Sequence, residues 1–147
     1  MSKSRAIGTS AESAVVKVAR AHGFPFAERR TLHGNTDLGD VKLDSRGQLV
    51  LEVKAGKAAE TASDSLIESW LVETERERVH AGAHYGFLVV KRAGKGPRNA
   101  DRWWAVGRLE DIAEVAGGCV IYSPDAVVRL HLGDLLNLLA NKYGEEP

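Results

Sequence analysis

Asp40-Val41-Lys42-Leu43-Asp44-Ser45-Arg46-Gly47-Gln48-Leu49-Val50-Leu51-Glu52-Val53-Lys54 reads as two strands joined by a tight turn, and this stretch decides the fold. Gly47 stands where a three-residue hairpin loop needs a left-handed backbone, so Ser45-Arg46-Gly47 is the expected loop and the register follows from it. Asp44 then faces Gln48, Lys42 faces Val50, and Asp40 falls opposite Glu52. One face carries Asp40, Lys42, Val50, Glu52 and Lys54. The other carries Val41, Leu43, Leu49, Leu51 and Val53, all apolar and fit for a core. A slip of one residue would put half of the charges inside. Directly opposed residues have Cβ atoms roughly 5 Å apart, so the two carboxylates repel each other unless a cation sits between them. Mg2+ suits that place, being a hard ion that takes one or two carboxylates at about 2.1 Å and keeps waters and phosphate oxygens in its other positions. Lys54, on the same face, would reach a phosphate held there or a water attacking it.

Glu-x-Lys on its own carries little weight, because alternating charges are common on a solvated strand face. Asp40 in register with Glu52 is what gives it meaning. A third carboxylate, Glu12, lies in Thr9-Ser10-Ala11-Glu12, which matches a capping box with Thr9 as N-cap. Glu12 is therefore either a capping glutamate or a metal-site acid, and the two roles can coexist at a helix N-terminus. Asp37 competes with Asp40 for the same place. The hairpin favours Asp40, leaving Asp37 to water, a second ion or the amides of its own loop.

An early helix bearing a Glu, an Asp opening a strand and a Glu-x-Lys on the next strand, in that order, resemble the PD-(D/E)XK nuclease superfamily. Gly8-Thr9-Ser10-Ala11-Glu12, His22-Gly23-Phe24, Gly39-Asp40-Val41 and Leu51-Glu52-Val53-Lys54 look like the archaeal-type Holliday junction resolvases. Asp37-Leu38-Gly39-Asp40-Val41, Ser69-Trp70-Leu71-Val72-Glu73 and Val89-Val90-Lys91-Arg92-Ala93-Gly94-Lys95-Gly96 look like small resolvase-like proteins of actinobacterial phages. The resemblance spans roughly residues 5 to 107. It implies a restriction-endonuclease-like core in which Asp40 and Glu52 bind the metal, Glu12 adds a carboxylate and Lys54 stabilises developing charge. It also implies Mg2+, with Mn2+ as a substitute, and branched DNA, the four-way junction of recombination and repair, as substrate. A junction has two strands to cut symmetrically, so a two-fold homodimer is implied as well. Gly39 stands where the superfamily's proline would precede the aspartate, a departure that many members share. Two other readings use the same residues: a related nuclease acting on duplex, flap or DNA ends, and a non-catalytic DNA-binding module on the same fold.

With 147 residues, 44% of them hydrophobic, and no long apolar run, the chain is expected to form one domain over 1–147 without a membrane segment. The start, Met1-Ser2-Lys3-Ser4-Arg5-Ala6, lacks the apolar stretch of a secretory signal, which predicts a cytoplasmic protein, in the host cytoplasm if phage-encoded. Cys119 is solitary, so a buried thiol is the default. A formal net charge of zero argues against a protein that simply coats nucleic acid. Distribution matters more: Lys17, Arg20, Arg29 and Arg30 fall near the first helix and strand, and Lys91, Arg92, Lys95, Arg98 and Arg102 surround a Gly/Pro loop. Lys17, Arg20, Arg29, Arg30, His33, Lys91, Arg92 and Lys95 are the candidate DNA contacts. A solubilised loop is the alternative for the second group, but Gly94-Lys95-Gly96 allows close backbone approach to phosphate. Trp103-Trp104 could stack on bases, whereas strand alternation puts one ring in the core and the other on the far face. No Gly-Lys-Ser/Thr phosphate loop and no Ser/His/Asp set occurs.

The spacing predicts a helix over 9–22 ended by Gly23, a strand over 26–31, a loop over 33–36 and then the hairpin. Ser63 can cap a long helix with Leu66, Ile67, Trp70, Leu71 and Thr74 as its buried stripe. Glu75-Arg76-Glu77-Arg78 reads as solvated, and Glu73 as surface unless that helix lines the cleft. Further strands are expected over 85–90, 102–106 and 119–122, and further helices over 109–116 and 135–142. The whole is an α/β arrangement, a mixed central β-sheet flanked by helices.

Overall fold

The computed structural model describes residues 3–30, 37–118, 123 and 125–147. Its elements are α1 (Lys3–Ala21), β1 (Glu28–Arg29), β2 (Val41–Lys42), β3 (Leu49–Lys54), α2 (Lys57–Glu60), α3 (Asp64–Ala81), β4 (Tyr85–Val90), a 3-10 turn (Pro97–Arg102), β5 (Trp104–Arg108), α4 (Leu109–Val115), β6 (Val127–His131) and α5 (Leu132–Tyr143). The hairpin pairs Lys42 with Val50 and Val41 with Leu51, which sets Asp40 opposite Glu52 as expected. Gly47 has φ +70° and donates its amide to the Asp44 carbonyl at 3.1 Å, closing the three-residue loop. The Asp44 carboxylate accepts from the Leu49 amide at 2.9 Å, which fixes the turn from inside.

Among the described residues six strands lie side by side in chain order. Only β3 and β4 run parallel, and the other neighbours are antiparallel. A parallel pair cannot be joined by a tight turn, and here the crossover is made by α2 and α3. Strand alternation sorts the sheet into two packed faces. On one, Val41, Leu43, Leu49, Leu51, Phe87 and Val89 pack with Val15 and Ala19 of α1 and Leu135 and Leu139 of α5. On the other, Leu88, Val90 and Val106 pack beneath Ile67 and Leu71 of α3 and Ala59 of α2. The expected mixed sheet with helices on both sides is thus what the chain forms.

Several boundaries differ from the sequence reading. α1 starts at Lys3, so Thr9 is inside the helix rather than capping it, and the capping-box reading of Glu12 fails because no helix end is there. Of the expected strand over 26–31, the described residues form strand at Glu28–Arg29, with Phe26 in an exposed turn and residue 31 outside the described residues. Residues 97–102 form a 3-10 turn opened by Pro97, so the strand expected from Arg102 begins at Trp104 and runs to Arg108. β6 was not anticipated, and α5 starts three residues before the expected Leu135. Ser63 does cap α3, accepting from the Leu66 amide. Trp103 is fully buried while Trp104 is on the far face with the second cluster, as alternation requires. The strand expected over 119–122, Cys119, and the loop with His33 lie outside the described residues.

Candidate metal centre

Glu52 projects from β3 towards α3, on the face that a solvated strand would turn to water. It is 4% exposed. α3 covers it with Leu71, Thr74 and Glu77, all buried and spaced along one helical stripe. Glu77 is 2% exposed, so reading it as solvated was wrong. Its place three residues beyond Thr74 continues the buried stripe, and α3 turns it towards the sheet. Asp37, just before β2, completes the group: one carboxylate oxygen each from Asp37, Glu52 and Glu77 lies within 4.8 Å of the others.

These oxygens have a shortage of donors. Glu52 Oε2 and both carboxylate oxygens of Glu77 are buried with no hydrogen-bond donor among the described residues. Such groups are costly unless a proton or cation serves them. The three carboxylates could hold a metal ion, and oxygen-only donors suit a hard cation. Of the expected ligand set, only Glu52 belongs to this closest group. Asp40 is adjacent and within hydrogen-bonding reach of Glu52, but its Oδ2 accepts the Val53 amide at 2.8 Å, which ties it to the strand. Asp37 Oδ1 accepts the Gly39 amide at 2.9 Å, the expected contact with its own loop, and Asp37 shares the site as well. Glu12 approaches from α1 and pairs with Arg29 at 3.7 Å, outside the group of three.

Burial and mutual repulsion set the protonation of this site. Burial is the main cause that pushes Glu52 far above the usual carboxylate range, and the nearby Asp40 and Glu77 carboxyls add to it. Glu77 rises from 4.5 to about 7, first through burial and then through the charges of Asp37 and Asp40, with the contact to Glu52 opposing. Burial likewise raises Glu12, helped by Asp40 and opposed by Arg29.

A pH dependence follows for the metal-free protein. A carboxyl whose folded pKa lies above its unfolded value stabilises the fold fully below the unfolded pKa and loses that contribution as pH rises through the folded one. For Glu77 that window runs from 4.5 to about 7. The Tm of metal-free protein should therefore fall between pH 5 and pH 8, and Mg2+ should raise it more at pH 8 than at pH 6, because ion binding displaces the retained protons. Differential scanning fluorimetry with and without EDTA checks this, and a Tm independent of both variables would contradict it.

No family model, curated protein or solved structure matches the chain. The site has to be judged on its own chemistry. Lys54 lies two residues beyond Glu52, and its Nζ meets Glu73 Oε1 at 3.1 Å, one turn of α3 before Glu77. Glu73 thus does line the site. Burial disfavours the ammonium, but Glu52, Glu73 and Asp40 together outweigh it, so the pKa of Lys54 is raised and the group stays cationic at neutral pH. Both side chains remain partly open to solvent.

The candidate DNA contacts divide in three. Arg29 is taken up by Glu12, with a further 3.5 Å contact to Thr9, and Arg30 donates to the Leu38 carbonyl at 3.1 Å, bracing the segment that carries Asp37. Lys17 and Arg20 are exposed on α1, on the sheet face away from α3, and Arg20 donates to the Ala27 carbonyl. Lys91, Arg92 and Lys95 follow β4, and the Lys91 amide donates to the Lys54 carbonyl at 2.9 Å, which holds this basic loop beside the end of β3.

Proposed function

We propose that the protein is a metal-dependent endonuclease that hydrolyses DNA phosphodiesters, with Mg2+ as its ion, Mn2+ as a substitute, and the four-way junction as its preferred substrate. The observation that carries this is the cluster of buried carboxylates without donors, Glu52 and Glu77 with Asp37, beside a lysine that stays charged. Oxygen ligands next to a fixed cation suit the handling of a phosphodiester. A bound Mg2+ would polarise a phosphoryl oxygen and lower the pKa of a coordinated water.

The chain's own residues do the rest. Glu52, Glu77 and Asp37 would hold the ion, with Asp40 adjacent and anchored by Val53. Lys54 presents its ammonium to the negative charge carried by the phosphoryl oxygens during in-line attack. Glu73 orients that ammonium, and the Trp70 ring, 5.6 Å from Nζ, limits its freedom on the other side. Glu12, held by Arg29, supplies a further negative group at the edge of the site near Asp40.

The order of an early helical Glu, an Asp before a strand and a Glu-x-Lys on the next supports the superfamily resemblance. The choice of a junction over other DNA rests on that resemblance, as does a homodimer with paired sites. In Mg2+, a mobile four-way junction should be cut at least about tenfold faster than linear duplex or flap DNA, a barrier difference of ~1.4 kcal/mol. Preference for the linear or flap forms would make the protein a different nuclease on the same residues. Failure to cut any DNA would leave only a binding module.

A further inference from the structure

The basic loop, β5 and β6 build a second feature on the sheet face that holds Glu52. Cross-strand pairing sets Lys54 beside Val90, Val90 beside Trp104, and Trp104 beside His131. Two residues along, the next row on the same face runs Glu52, Leu88, Val106, Arg129. Directly paired residues point to the same side of a sheet, so Trp104 and Arg129 share the face of the metal centre. The Trp104 ring has the Arg92 guanidinium 4.3 Å from its centroid and the Arg129 guanidinium at 5.3 Å. His131 lies at 5.6 Å from the same ring.

Such stacking orders two arginines without neutralising them. Among the described residues, no carboxylate comes within ion-pairing distance of Lys91, Arg92, Lys95 or Arg129. In a chain of net charge zero, that is a local concentration of uncompensated positive charge. A cleft of about 250 Å3 opens next to it, lined by Ile67, Val90 and Val106 and by Lys91, Arg92 and Arg129, with Glu60 as its carboxylate. Because the guanidiniums occupy the ring faces, Trp104 serves the arginines rather than a base. Arg92 Nη1 already faces the Arg102 carbonyl at 3.4 Å and His131 Nε2 at 3.3 Å, so the donors offered to phosphate oxygens are its remaining N–H groups and those of Arg129.

We propose that Arg92 and Arg129, held on Trp104, clamp the phosphodiester backbone of the DNA strand that passes the metal centre. Neighbouring strands are about 4.8 Å apart, so Trp104 is about 10 Å from Lys54 and Arg129 about 14 Å from Glu52. Each nucleotide adds about 3.4 Å of axial rise and also turns about the helix axis, so the clamped phosphates are about two nucleotides from the one at the metal centre. The clamp's position relative to a cut rests on the nuclease reading; its binding of DNA does not.

The test measures binding without cutting: anisotropy of a labelled DNA duplex in EDTA across a KCl series. Each phosphate contact contributes about 0.9 to the slope of log affinity against log salt. Arg129→Gln, on an exposed side chain of β6 and so compatible with folding, should flatten the slope by about one and weaken binding several-fold. Arg92→Gln with Arg129→Gln should flatten it by about two, and the paired lysine substitutions should restore most of it. Wild-type slope and affinity in the glutamine variants would overturn the clamp, as would a wild-type protein that ignores DNA. Cleavage separates the two readings: clamp-dependent binding with no cutting leaves the clamp and removes the nuclease. Mg2+-dependent cutting with unaltered binding by Arg129→Gln does the reverse.

Discussion

Glu52→Gln should abolish metal-dependent DNA cleavage while leaving the metal-free fold at least as stable as wild type. Glutamine keeps the shape of the side chain but cannot become a carboxylate, so a bound ion would lose one of three carboxylates. A rate loss of about a thousandfold, ~4 kcal/mol in the barrier, is the scale expected when a principal electrostatic partner of the reacting phosphate is lost. Stability should move the other way. In the metal-free protein Glu52 keeps its proton, and the amide reproduces that neutral, donor-bearing group beside Glu77, so the fold loses nothing. Single-turnover cleavage and Tm in EDTA, measured on one preparation, check both halves. Cutting within tenfold of wild type would take Glu52 out of the chemistry, and a collapse of Tm would mean that its carboxylate serves the fold.

The second large effect belongs to Lys54. Lys54→Ala should slow cleavage by about a hundredfold to a thousandfold, the usual cost of removing one group that meets charge in the transition state. Metal affinity should be kept or improved, because a cation is being removed from beside the acids. The two readouts together separate this role from a structural one: a rate titrated against Mg2+ should reach a low plateau at an unchanged or lower midpoint. A plateau equal to wild type would show that the ammonium does not meet the reacting phosphate. Glu73→Gln is the milder companion, since it leaves Lys54 in place and frees only its orientation.

What the sequence made legible was the part governed by local rules. Gly47 dictated the hairpin and its register, and alternation then separated Leu49, Leu51 and Val53 from Val50, Glu52 and Lys54 without reference to any other element. Tyr85–Val90 was legible as an inner strand because it is apolar on both faces. Glu77 escaped for a physical reason: hydrophobic periodicity counts an acid as solvent-facing, and only a retained proton or a cation shared with Glu52 across the helix–sheet interface makes its burial tolerable. The spacing Ile67, Leu71, Thr74, Glu77 held the signal, but the charge hid it. The place of Asp37 in the closest group, with Asp40 beside it, was hidden for a related reason. Strand register places Cα atoms, whereas the Val53 amide that engages Asp40 and the loop conformation that turns Asp37 inward are set by tertiary packing. Thr9 resembled a cap because its partner glutamate had the right spacing, yet the residues before it continue the helix back to Lys3.

The strand order has a kinetic consequence. Every adjacent pair but one joins antiparallel segments, and the β2–β3 hairpin needs only a tight turn. β3 and β4 alone must wait for α2 and α3 to cross over the sheet. Loop-closure entropy makes that pairing the slow one. Glu52 is on β3 and Glu77 on the crossover helix, so the acids meet only once that helix packs on the sheet, and a divalent ion present during refolding would offset the repulsion that the converging carboxylates create.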